Sequence, residues 1–125
     1  MIRTGNRFRI RFQKKVAKNA TATLTAAELG KGVITSTSAA ATNLTLPTAV
    51  QVIGNLKAER GDKYDFTVDN SAGASLVTLV LSTGIVVPST VVITGSNVLT
   101  IAAGQVGLFQ LYFKSPTTAT LFRKS

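Results

Sequence analysis

From Lys63 to Arg123 the chain is cut into short apolar or alternating segments by turn residues, at the spacing of about eight to twelve positions typical of small all-β domains. A chain punctuated so finely has no room for a long helix. Lys63, Asp65, Thr67 and Asp69 alternate with Tyr64, Phe66 and Val68, the pattern of a half-buried strand with its apolar side inward. Leu76 to Leu81 is an apolar run and reads as a strand covered on both faces. Ile85 to Val87, Val91 to Ile93, Val98 to Ile101, Leu108 to Phe113 and Thr120 to Arg123 follow as further strands. Pro88-Ser89, Gly95-Ser96-Asn97, Ala102-Ala103-Gly104 and Ser115-Pro116 separate them. No repeat of solenoid length is visible, so a solenoid is not expected.

The first half carries two helix signals. Thr25-Ala26-Ala27-Glu28 fits a capping box that Gly30 ends after one turn. Thr48-Ala49-Val50-Gln51 repeats the pattern and predicts a short helix to about residue 56, with Val50, Ile53 and Leu56 on one face and a break near Gly54. Val33 to Thr37 and Leu44 to Leu46 read as strands, the second stopped by Pro47. The whole predicts a mainly β chain: a jelly-roll-like β-sandwich over residues 19–125, with one or two short helices.

Charge is distributed very unevenly. Residues 1–18 hold seven cations, Arg3, Arg7, Arg9, Arg11, Lys14, Lys15 and Lys18, and no acid. The other seven basic residues face all five acids, leaving +2 there out of a total of +9. Within this arm, Arg-Phe-Arg-Ile-Arg-Phe alternates strictly, so an extended chain puts Arg7, Arg9 and Arg11 on one side and Phe8, Ile10 and Phe12 on the other. Three readings are open: a nucleic-acid tail whose phenylalanines stack on bases, a strand added to the sheet edge of an acidic partner, or the first strand of the domain with a solvated cationic face. The alternation favours the last two.

Catalytic chemistry has little to work with. The sequence holds no histidine and no cysteine, so Ser–His triads, disulfides and thiol chemistry are excluded. Asp62, Asp65 and Asp69 read as solvated carboxylates, not a metal cluster. We expect no catalytic residues, no bound metal and no cofactor. No run reaches the apolar length of a spanning helix, so a soluble protein is expected, with no membrane partner. A carbohydrate-binding sandwich would need exposed aromatics, and Tyr64 and Tyr112 alternate onto apolar strand faces. With charged residues at only 15%, the surface must expose Ala, Thr, Val and Leu, which points to packing in an assembly.

The order TLTAAELGKGVITSTSAAATNLTLPTA, RGDKYDFTVDN, VTLVLSTG, VLTIAAGQVGLFQLYF and TATLFR resembles a β-sandwich module of tailed-bacteriophage structural proteins, among them capsid-decorating (auxiliary capsid) and head-fibre proteins. Leu46-Pro47-Thr48, Gly61-Asp62, Phe66 to Asn70 and Gly107 to Phe113 carry the likeness, which spans residues 23–123. The resemblance implies a homotrimer on the outer face of an icosahedral capsid, without catalysis. The expectation is a virion structural protein, made in the host bacterial cytoplasm, that decorates and stabilises a phage capsid. Its partners would be the major capsid protein and its own copies. Arg3, Arg7, Arg9, Arg11, Lys14, Lys15 and Lys18 would make the ionic contact, and Phe8, Ile10 and Phe12 the apolar one. The alternatives are a shell-forming capsid protein whose inward arm binds the genome, and a head-fibre or adhesin base.

Overall fold

The computed structural model describes residues 14–88 and 99–124. Ten strands and two helices follow one another in these residues: β1 (Lys14–Ala17), β2 (Ala22–Thr23), α1 (Ala26–Leu29), β3 (Gly32–Thr35), β4 (Thr42–Thr45), α2 (Ala49–Leu56), β5 (Lys63–Asp69), β6 (Val77–Val80), β7 (Ile85–Val86), β8 (Thr100–Ile101), β9 (Val106–Ser115) and β10 (Thr118–Arg123). They form two mixed sheets, a six-stranded one in the order β1-β3-β5-β9-β10-β7 and a four-stranded one in the order β2-β4-β6-β8.

The chain winds between the sheets. β1, β3 and β5 pair in parallel in the larger sheet, and β2, β4 and β6 pair in parallel in the smaller. Each pass therefore crosses from one sheet to the other, and α1 and α2 carry the chain back. Parallel neighbours cannot be joined by a tight hairpin, so such return segments are required. Both helices start where their sequence says they must. Thr25 Oγ1 accepts from the Glu28 N–H and the Glu28 carboxylate accepts from the Thr25 N–H; Thr48 and Gln51 repeat the arrangement on α2. Antiparallel pairing enters late, where β9 joins β5 to β10, and where β8 pairs with β6.

Residues from both sheets share one core. Ile34, Phe66, Val68, Phe109, Leu111 and Phe113 of the larger sheet and Leu44, Val77, Leu79 and Ile101 of the smaller belong to a single buried cluster. Phe66 and Phe109 stack at its centre with ring centroids 5.4 Å apart. Arg123, opposite Phe109 in the register, sets its guanidinium 5.4 Å from that ring and donates to the carbonyl oxygen of Thr100 on β8. It thereby ties the two sheets at one end.

Asn70 fixes the turn where β5 leaves the larger sheet. Its buried Nδ2 donates to the carbonyls of Ser75, Ile101 and Ala102 at 2.8, 3.1 and 3.2 Å. Its own N–H donates to Gln105 O, and its carbonyl accepts from Gly73 and Gly104. One side chain thus joins the loops after β5 and β8.

Several expectations are corrected. Val50 is 56% exposed; the buried face of α2 is Ala49 and Val52, with Ile53 and Leu56 packed against the core. The i, i+3, i+6 stripe holds for Ile53 and Leu56 and fails at Val50, whose expected inward place is taken by Ala49, an apolar residue small enough to be overlooked. The helix also runs through Gly54 to Leu56, ending where Lys57 turns left-handed at φ 54°. The apolar run at 76–81 is covered on one side only: Val77 and Leu79 are buried, while Val80 faces out. The strand expected at 33–37 runs Gly32–Thr35, and β9 is longer at both ends than the expected 108–113. The strand expected at Val91 to Ile93 lies outside the described residues.

Candidate interaction surface

A strand alternates its side chains between two faces, and on β9 the division is clean. Gly107, Phe109, Leu111 and Phe113 go inward, while Val106, Leu108, Gln110 and Tyr112 go outward. The register then assembles the outer face of the larger sheet. Tyr112 stands between Lys63 of β5 and Thr120 of β10, with Val86 of β7 beyond; Gln110 stands between Asp65 and Phe122. Tyr112 and Phe122 are diagonal neighbours and form a ridge. On one side lies a shallow groove walled by Val86, Val87, Pro88, Lys114 and Thr120, and on the other a groove reaching Lys63 and Gln110.

The face is apolar toward its β9, β10 and β7 side. Val86, Val106, Leu108 and Phe122 are all exposed large hydrophobics, Phe122 at 38%. Isolated exposed apolar residues are ordinary, but a group sharing one sheet face marks a contact surface. Charge rings it unevenly. Lys63, Lys114 and Lys124 stand around the ridge, against one carboxylate, Asp65. That carboxylate accepts from Gln110 Nε2 at 2.9 Å and lies 3.8 Å from Lys124 Nζ. Farther along the sheet, the Asp69 carboxyl is held below the usual carboxylate range by hydrogen bonds from the Ser71 hydroxyl and N–H, with Lys15 adding a smaller push. The outer face thus offers cations around an apolar ridge, a match for a partner that is acidic and partly apolar.

Tyr112 overturns one sequence expectation. It points away from the core, so the face does carry exposed aromatic surface. Tyr64 has the inward setting, half-buried with its hydroxyl donating to Leu29 O at 2.8 Å.

Of the ten arm residues singled out in the sequence, Arg3, Arg7, Phe8, Arg9, Ile10, Arg11 and Phe12 lie outside the described residues. Lys14 and Lys15 sit on β1, at the margin of the larger sheet. Lys18 is engaged, its Nζ 2.8 Å from Glu28 Oε2. All three are thus paired or bonded to neighbouring elements of the described structure. The sequence did not single out Lys63, Lys114, Lys124, Tyr112 or Phe122. Their only signal was strand parity, which Leu-Phe-Arg at 121–123 leaves ambiguous. No helix among the described residues is long and apolar enough to cross a membrane. No protein-family model, curated protein or solved structure matches the chain.

Proposed function

We propose that the chain is a non-enzymatic structural component of a virion, decorating and stabilising a phage capsid as a homotrimer. The observation that carries the reading is the lysine-rimmed apolar ridge on the outer face of the larger sheet. An acidic capsid surface would bury Phe122, Leu108 and Val86, while Lys63, Lys114 and Lys124 meet carboxylates around them. The cations of residues 1–13 would add the anchoring contact that their charge suggests. Burial of the apolar ridge supplies affinity, and the charges set orientation and encounter rate. Bridging neighbouring capsid subunits would then stiffen the joints between them. A jelly-roll-like β-sandwich remains the proposed description of the fold. The shared core supports it, while the parallel passes of β1, β3 and β5 depart from the antiparallel jelly-roll pattern.

The test is co-sedimentation with capsid particles of the phage that encodes the chain. Phe122→Asp combined with Lys63→Glu should abolish binding while the thermal melt is kept. Deletion of residues 1–13 should weaken binding; the cut must stop there, because residues 14–17 form β1. Particle binding unchanged in both variants would refute the reading. A second reading is favoured by the pairing of Tyr112 and Phe122 with Lys63 and Lys114: aromatic rings beside cations fit single-stranded nucleic acid, as in a shell protein that holds its genome. Nucleic acid retained through purification, and lost in Phe122→Asp, would select it.

A further inference from the structure

The smaller sheet has an outer face of a different kind. The register places Asn43, Thr78 and Thr100 in one row across β4, β6 and β8, and Thr23, Thr45 and Val80 in the next across β2, β4 and β6. Among the described residues, no strand of this sheet contains a charged residue. The segregation runs deep in the sequence: between Asp69 and Lys114 the chain has no Asp, Glu, Lys or Arg at all. In a chain of net charge +9, that makes this face the exception.

We propose that this uncharged threonine face packs against a second copy of the chain. The proposal rests on the oligomeric virion reading above and names the surface that would do the work. The argument is electrostatic. Where the same face of each copy is turned toward a shared symmetry axis, like charges on that face are brought close. On the larger sheet, self-contact would set Lys63, Lys114 and Lys124 near their own copies, with Asp65 already engaged. The described strands of the smaller sheet bring no such charges together. Interface centres are in general depleted in charge, because burying a charge costs its hydration. Side-chain chemistry agrees. Thr and Val are β-branched and already restricted at χ1, so ordering them costs little. Each threonine hydroxyl both donates and accepts, so it can pair with its counterpart on another copy. Val80, exposed on this face, provides an apolar anchor. The chain's closed symmetry would turn these faces toward a common axis.

The test uses the full chain and light scattering after size exclusion. Thr45→Arg and Val80→Arg, made singly, should each raise the concentration for half-dissociation of the oligomer at least tenfold, while Lys63→Glu leaves it unchanged. Circular dichroism and the thermal melt establish that each variant is folded. The natural chain has no cysteine, so Thr45→Cys and Thr78→Cys, both small changes, report proximity directly. At least one should give a disulfide-linked dimer under oxidation, and Leu108→Cys should not. A wild-type monomer at every concentration overturns the proposal. So does an oligomer indifferent to both arginines, or crosslinking at Leu108→Cys with none at positions 45 and 78. Particle co-sedimentation separates this idea from the one beneath it. An oligomer formed through this face that joins no capsid removes the decoration reading alone, whereas a monomer that still binds particles removes only the self-association.

Discussion

Lys18 Nζ lies 2.8 Å from Glu28 Oε2, joining the chain just after β1 to the capping box of α1. Glu28 therefore serves two partners, the Thr25 N–H and the Lys18 ammonium. The hydrogen bond from Lys18 is the main cause, and the Thr25 N–H the next, holding its carboxyl below the usual glutamate range. A carboxyl depressed in the folded state contributes stability above its unfolded pKa and loses it as pH falls through the folded one. Acid titration of thermal stability should show a step below the ordinary glutamate range that Glu28→Gln flattens. Lys18→Ala should cost about 0.5 kcal/mol, the scale of a surface ion pair whose side chains keep 21% and 25% of their area in solvent. Thr25→Ala should cost about 1 kcal/mol through the lost cap.

The turn at Asn70 is predicted to be intolerant. A Cβ at Gly73 would stand 1.9 Å from Asn70 Oδ1 and 3.3 Å from the Ser36 carbonyl. Gly73→Ala should destabilise by about 1–3 kcal/mol, the range for overpacking a tight site. Asn70→Asp should be worse, since it sets an acceptor against the three carbonyls that now receive an N–H. Chemical denaturation of both variants, compared at constant slope, checks the order.

Val52 and Val50 offer an internal control on one helix. Val52 is buried and Val50 is not. Val52→Ala should cost about 2 kcal/mol through the cavity and lost burial, and Val50→Ala within about 0.5 kcal/mol of nothing. Equal effects in a urea melt would contradict the orientation of α2.

Arg123 is predicted to resist replacement by lysine. Burial lowers the guanidinium pKa, but it remains charged. Its guanidinium lies over the Phe109 ring while its N–H reaches Thr100 O, a combination lysine cannot reproduce. Arg123→Lys should lose about 1 kcal/mol or more, with β8 the first region to gain in hydrogen exchange.

Much of this architecture was legible in the sequence. Both capping boxes, the alternation of β5 and most strand positions follow from local chemistry: a hydroxyl three residues before an acid or amide, or a period of two. Pairing did not, because sequence alone sets no partner for a strand. Nothing in Val33-Ile34-Thr35 says that its neighbours are Lys15-Val16-Ala17 and Thr67-Val68-Asp69. The surfaces were hidden for the same reason. Lys63, Tyr112 and Phe122 come from three strands and meet only once the register is set. The threonine face is assembled from four segments, each of which looks unremarkable alone. Charge, being additive along the chain, was the property most easily read early, and it directed attention to residues 1–18.

The placement of β9 bears on how the chain reaches this state during synthesis. It comes late in the chain, at Val106–Ser115, yet it lies in the interior of its sheet, between β5 and β10. Until it arrives, β5 presents an open edge of seven residues, available to any other nascent chain on the same messenger. Sheet closure by long-range pairing is slow, so this protein passes through a stage of exposed edges late in translation. Growth conditions that stall ribosomes before Val106 should then favour aggregation over folding.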